Sequence, residues 1–212
     1  IKELPGAELA LYRADDRGEL SQDDSHLAAQ WISGTDGIYT EEDWVNGRIP
    51  KGYEAGDLKP HELKKLPSGI YYLAELKSPA YYSLMEPVRI QYSQEEQIQI
   101  VRAFNEAVKG ELEVAKKDGQ GQMLKGVLFE LAAYKESQKN TPVFTMKISD
   151  HEGKIAVSDL PVGEIQEDGT IVPYQYRLKE ITPPEGYASD MEIHTFQFQP
   201  DVHGVSYTYG QK

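Results

Sequence analysis

Tyr176-Arg-Leu-Lys-Glu180-Ile-Thr-Pro-Pro-Glu-Gly-Tyr187 decides the fold, because an earlier stretch, Tyr71-Tyr-Leu-Ala-Glu75-Leu-Lys-Ser-Pro-Ala-Tyr-Tyr82, repeats its plan. In both, a Tyr and a Leu precede a Glu at alternate positions, a Pro follows, and a second Tyr closes the unit. Alternation of this kind is the signature of a β-strand, in which every second side chain faces the same way. If Leu178 and Leu73 face a core, Glu180 and Glu75 face it too. A carboxylate turned inward is costly unless it is neutral or paired. That such a carboxylate occurs twice points to chemistry.

The repeat extends outward from these motifs. Leu4-Pro-Gly-Ala-Glu-Leu-Ala-Leu-Tyr12 and Leu124-Lys-Gly-Val-Leu-Phe-Glu-Leu131 are each a glycine turn feeding an alternating strand; setting Gly6 against Gly126 pairs Leu9 with Phe129 and Leu11 with Leu131. Gly6 precedes Glu75 by 69 residues, whereas Gly126 precedes Glu180 by 54. The first copy therefore carries an insertion, placed at about residues 23–66. Trp31, Trp44 and many Gly and Pro residues fall there. The insertion reads either as a long loop packed over the domain by its tryptophans or as a ligand-facing adhesive loop in which Trp31 and Trp44 bind.

Composition narrows the classes. A formal charge of -13 argues against nucleic acid and against an anionic membrane surface, both of which need a basic patch. There is no cysteine, so neither disulfides nor thiolate metal sites hold the fold. No apolar run approaches the roughly 20 residues of a membrane span. Ile1 opens no signal peptide, and the chain reads as a soluble piece of something longer. Acidic stretches at Asp15-Asp16 and Asp23-Asp24 lack the spacing of a calcium loop, and no metal or cofactor is expected. The five histidines form no metal-spaced set and read as surface or turn residues. With no nucleophile elbow or phosphate loop, the chain is not expected to be an enzyme.

Two further stretches matter. Residues 93–108 carry a capping-box pair, Ser93 and Glu96, that favours a helix; the repeat instead aligns Asn105 with Gly210, each thirty residues after its Glu, and Val205-Ser-Tyr-Thr-Tyr209 is strand-like. The repeat takes precedence, which makes both segments closing strands. Lys109-Gly-Glu-Leu-Glu-Val-Ala-Lys116 alternates so that Leu112, Val114 and Lys116 share a face. Lys116 is then either snorkelling at a strand end, which the pattern alone favours, or held inside for a purpose. The whole reads as all-β, two tandem β-sandwich domains over residues 1–107 and 108–212, with seven or so strands per copy and the first strand of the first copy missing. The short junction 106–110 points to end-to-end stacking as a rod.

Lys116-Lys-Asp118, Leu124–Leu131, Asp150-His-Glu-Gly-Lys-Ile155, Asp159-Leu-Pro-Val-Gly163 and Tyr176–Tyr187, in that order, resemble the signatures of the collagen-adhesin B-type (CnaB, SpaA-like, prealbumin-like) domains of Gram-positive pilins and surface adhesins. The resemblance covers residues 109–212 well and residues 1–107 less tightly, through Gly6, the Glu75 motif and Asn105. It implies an Ig-like fold and an extracellular, cell wall-anchored or pilus location. Its implied partners are other pilin or adhesin subunits, with a host matrix protein as the alternative ligand of the insertion. It also implies an intramolecular amide between a Lys on the first strand and an Asn or Asp on the last, assisted by an inward Glu, at most a single-turnover reaction. On these positions Lys116 is the nucleophile and Glu180 the assisting acid of the second domain; Glu75 is the acid and Asn105 the acceptor of the first. Each triad is incomplete: the second acceptor position falls on Gly210, and the lysine strand of the first copy has no counterpart after Ile1. A bond closing about a hundred residues constrains the unfolded chain by about 4–5 kcal/mol on the disulfide model, and it shields the strands between from tension.

Overall fold

The computed structural model describes residues 2–52, 56–96, 98–201 and 204–210, the side chains of 205–210 excepted. The chain divides into two compact units, one formed by Ile1–Ala107 with Glu167–Thr170, the other by Val108–Gln166 with Ile171–Lys212. Apart from the 3-10 turn Asp24–His26 and the one short helix named below, the described elements are strands.

Five strands build the sheet of the first unit: β1 Glu8–Arg13, β2 Leu27–Ile32, β3 Tyr39–Thr40, β4 Gly69–Lys77 and β5 Val88–Tyr92. They lie in the order β3-β2-β1-β4-β5. A short helix, α1, Glu41–Val45, follows β3 and is closed by a capping box between Thr40 and Asp43. Alternation along β1 and β4 places Leu11, Tyr71 and Leu73 on one face with Trp31 and Ala29 of β2, while Ala10, Tyr12 and Ala74 line the other. Leu63 and Leu66 of the following loop pack against the first cluster.

The second unit contains β6 Lys109–Lys117, β7 Leu128–Tyr134, β8 Phe144–Ser149, β9 Lys154–Pro161 and β10 Gly163–Ile165. After these come β11 Ile171–Pro173, β12 Gln175–Thr182, β13 Ile193–Phe196 and β14 Gly204–Gly210. One sheet has the order β13-β12-β7-β8, a second β14-β6-β9, and β10 with β11 forms a separate ribbon. Most of the core is apolar: Leu112, Val114 and Ile155 come from the three-stranded sheet and Phe129, Leu131, Tyr176 and Leu178 from the four-stranded one, all nearly or fully inaccessible to solvent. Burial of each such side chain contributes about 1.5–3 kcal/mol.

The inferred repeat is visible in the ladders. Leu9 pairs with Glu75 and Leu11 with Leu73 in the first unit; Phe129 pairs with Glu180 and Leu131 with Leu178 in the second. The strand order β5-β4-β1-β2 corresponds to β13-β12-β7-β8. Gly6 and Gly126, which turn the chain into β1 and β7, both have positive φ, 93° and 81°, a conformation that a Cβ disfavours.

Three expectations need correction. The described strands number five in one unit and nine in the other, not seven in each. Residues 23–66 are not simply a loop: Leu27-Ala-Ala-Gln-Trp-Ile alternates well enough to pair along β1, and it enters the sheet as β2. Residues 98–106, expected as a closing strand, belong to no strand or helix; only Ala107 makes a bridge, to Tyr82. A strand exists only as part of a ladder, and no described strand pairs with this segment.

Candidate functional site: two inward carboxylates

Glu180 enters the core because β12 carries Tyr176, Leu178 and Glu180 on one face; all three are buried, with Glu180 2% exposed. The motif's Tyr anchors the strand. Tyr176 donates from its hydroxyl to the Pro161 carbonyl and stacks on Phe196 at 5.2 Å between ring centroids. Its burial holds the phenol far above the usual tyrosine range. The opposite sheet supplies Lys116 from β6, fully buried, with Nζ 2.8 Å from Glu180 Oε2. Lys116 therefore does not snorkel, because Leu112 and Val114 draw its stem into the core and Glu180 offers an opposite charge there. The other carboxylate oxygen, Oε1, accepts the backbone N–H of Asp190 at 2.8 Å.

The last strand lies where an acceptor would have to come from. β14 runs parallel to β6, with Tyr209 opposite Lys116 and Gly210 opposite Lys117. The strand Gly-Val-Ser-Tyr-Thr-Tyr-Gly holds neither Asn nor Asp, so within residues 204–210 no acceptor faces the lysine.

In the first unit Glu75 is 5% exposed, on the same face as Tyr71 and Leu73. Asn105 is brought to it across thirty residues of sequence: Nδ2 donates to Oε2 at 2.7 Å and to Oε1 at 3.0 Å, and also to the Ser83 carbonyl at 2.9 Å. Met85 N–H donates to Oε2 at 2.8 Å. The two motifs thus share a rule, a carboxylate that accepts the backbone N–H of the residue ten positions on, which folds the proline turn back over the strand end. The amide nitrogen, the leaving group of an amide exchange, is the part of Asn105 seated on the carboxylate. No cation pairs with Glu75 among the described residues.

The two tryptophans separate. Trp31 is 6% exposed in the core of the first unit, stacked on His61 with ring centroids 5.8 Å apart, and so cannot face a ligand. Trp44 sits half-buried on α1. His61 corrects the surface assignment of the histidines, since its side chain is only 6% exposed. Its Nδ1 is 2.8 Å from Glu3 Oε1, and its Nε2 lies 3.1 Å from the Gly37 carbonyl. Nothing local in the sequence announces this pair, whose members are 58 residues apart. His203 lies outside the described residues. Of the acidic stretches, the first closes a turn: Asp15 Oδ1 accepts the N–H groups of Arg17 and Glu19, as Asp118 Oδ1 elsewhere accepts those of Gln120 and Gln122. Among the described residues no three His, Asp or Glu side chains group to hold a metal ion.

Comparison with known proteins places this geometry. Residues 110–211 match the family described as the SpaA prealbumin-like fold domain. Among solved structures the chain resembles the Bacillus anthracis TIE protein, with a TM-score of 0.56 and 22% identity over 99% of this chain and 31% of that one. A streptococcal ancillary pilin aligns over 99% of this chain and 58% of its own length at 18% identity and a TM-score of 0.34. The shaft pilin spaA from Lactobacillus rhamnosus GG aligns over 99% and 86% at 13% identity and 0.30. The chain spans less than a third of the TIE protein, and at 22% identity the likeness to it is one of fold. No curated protein matches it. The sheet order, the inward Glu and the matched residues agree: over residues 110–211 the chain is similar to the SpaA prealbumin-like fold domains.

Proposed function

We propose that the chain is a structural stalk segment of a Gram-positive pilin or surface adhesin, extracellular and attached to the cell wall or pilus, working beside other subunits of its kind. The observation that carries the proposal is the Lys116–Glu180 contact, 2.8 Å long and wholly buried, joining the first strand of the second unit to the opposite sheet. In a water-excluded site a neutral lysine amine is a nucleophile, and a carboxyl beside it takes and returns protons. Offered an Asn side chain, Nζ attacks Cγ, a C–N bond forms, the bond to the amide nitrogen breaks, and ammonia leaves with the transferred protons. Without such an acceptor the pair remains an ion pair clamping the two sheets. Glu75 and Asn105 hold the acid and acceptor parts of the same arrangement in the first unit. Neither role involves turnover or a cofactor.

The location test is immunogold labelling of the native bacterium with antibodies to this chain: decoration of the surface or of fibres supports the stalk, and label confined to the cytoplasm sinks it. Intact mass of the native protein tests the cross-link, each Lys–Asn amide lowering the mass by one ammonia; an unshifted mass rejects it.

A second reading, adhesion through the first unit, is favoured only around α1, where Trp44 is half-buried and Val45 is 82% and Ile49 46% exposed. Replacing these three with Ser and measuring adhesion to matrix proteins separates it from the stalk.

A further inference from the structure

The two units share the strand order of the carboxylate-bearing sheet and differ in what joins its strands. Between β2 and β4 the first unit carries β3 and α1; between the corresponding strands β8 and β12 the second carries β9 and the ribbon β10-β11. Connections held on a rigid scaffold are where binding residues concentrate. Beside this ribbon, within the second unit, lies a cleft of about 400 Å³, a volume in the range of small-molecule sites. Pairing in the ribbon decides what the cleft displays. Glu164 lies opposite Val172, and side chains two apart in a strand share a face, so Glu164 and Gln166 stand with Val172 and Tyr174. That face forms one side of the cleft, and Lys135, Glu136 and Ser137, which follow β7, close the other. Lys135 Nζ donates to Glu164 Oε1 at 2.5 Å and ties the two sides together. This hydrogen bond holds the ammonium above the usual lysine range against the cost of burial, and the Tyr174 phenol acts in the same direction, which puts the phenol near the ammonium. Tyr174 is fixed in place: its N–H donates to the Val162 carbonyl at 3.0 Å, and its ring meets the buried Tyr176 edge-on with centroids 6.5 Å apart.

We infer that this cleft binds a short, non-acidic saccharide. A sugar ring has two kinds of surface: C–H faces that are apolar, and a rim of hydroxyls that each donate and accept. Val172, Pro173 and Tyr174 supply an apolar wall with an aromatic ring in it for the faces. For the rim there are an ammonium donor on Lys135 and a carboxylate acceptor on Glu164, and the Ser137 hydroxyl and Gln166 amide can do both. Lys135 and Glu164 offset each other's charge, and Glu136 beside them repels an anion, which is why the ligand is not an acidic sugar. The ion pair and the anchored tyrosine hold these groups in position beforehand, which spares the ligand the cost of ordering them. The inference goes beyond the stalk reading and does not depend on it, since the cleft uses neither Lys116 nor Glu180.

The test is a titration of the isotope-labelled 212-residue chain with cellobiose, lactose and di-N-acetylchitobiose at millimolar concentrations, followed by amide NMR. At least one of the three is expected to shift the amide resonances of residues 135–137 and 164–166, with those of Val172 and Tyr174, along a saturating curve. Tyr174→Ala should raise the dissociation constant about tenfold or more by removing the aromatic wall. Gln166→Ala, at an exposed position, should raise it about threefold by removing one hydrogen-bonding group, and it carries the test if the tyrosine variant does not fold. Unchanged resonances along β6 and β12 show that a variant keeps the fold. A trialanine peptide serves as the control for a ligand of similar size without a sugar ring. The inference is overturned by the absence of a saturable shift with all three disaccharides, by equal affinity of the parent and the folded variants, or by equal shifts with the peptide.

Discussion

Lys116 Nζ and Glu180 Oε2 stand 2.8 Å apart with no solvent reaching either side chain. Desolvating two charges costs several kcal/mol for each, and their attraction recovers this only while both are present. Lys116→Met is therefore expected to destabilise the second unit by about 3–5 kcal/mol, because it strands a buried carboxylate. The double variant Lys116→Met/Glu180→Gln removes both charges and keeps an acceptor for Asp190 N–H. It should recover a large part of the loss in urea unfolding. Equal instability of single and double variants would show that the pair is not an ion pair.

Close packing at two glycines gives a steric prediction. A Cβ at Gly163 would sit 2.1 Å from the Val172 carbonyl oxygen, across the β10-β11 ribbon, and one at Gly110 would meet the Phe198 ring at 2.4 Å. Neither neighbour can retreat cheaply: one is backbone and the other is fully buried. Gly163→Ala and Gly110→Ala should each lower stability by about 1–3 kcal/mol, as overpacking does. A midpoint of thermal unfolding unchanged by both would contradict the packing described here.

The tryptophans should separate in the same assay. Trp31→Ala empties a core position of the first unit and is expected to cost about 3–5 kcal/mol. Trp44→Ala, on α1, should cost no more than about 1 kcal/mol, in keeping with positions outside a core. The reverse order would place Trp44 and not Trp31 in the core.

Acid should loosen the first unit through Glu3. Burial pushes the Glu3 carboxyl up, but hydrogen bonds from His61 and from the Gly34 and His61 N–H groups outweigh it and hold the group below the usual carboxylate range. A carboxyl whose folded value is depressed contributes stability above its unfolded value, about 4.3, and loses it as pH falls through the folded one. Unfolding midpoints of Glu3→Gln should vary less with pH than those of the parent below about pH 4.5, while both remain parallel near neutrality. Identical acid profiles would remove Glu3 from the account.

Period-two alternation and the doubled Glu motif were enough to read most of the β-strands, the inward carboxylates and the equivalence of Leu9 with Phe129, because these follow from which face of a strand each residue occupies; that both lie opposite the carboxylates came from the ladders. Trp31 was misread as a loop residue because its strand lies inside a turn-rich stretch, where local composition masks alternation. Residues 98–106 were misread as a strand because strand formation depends on a neighbour, which no local pattern reports. The depth of Lys116 and the meeting of Glu3 with His61 were likewise settled by how distant segments pack.

What the amino-acid order determined by itself is therefore the local part: facing, turns and the two carboxylates aimed inward. What only the tertiary structure decided is which nitrogen each carboxylate meets, an ammonium at Glu180 and a carboxamide at Glu75. The physical reason is that facing is a property of one strand's backbone, whereas the partner of a buried charge is set by whichever other element is packed against it.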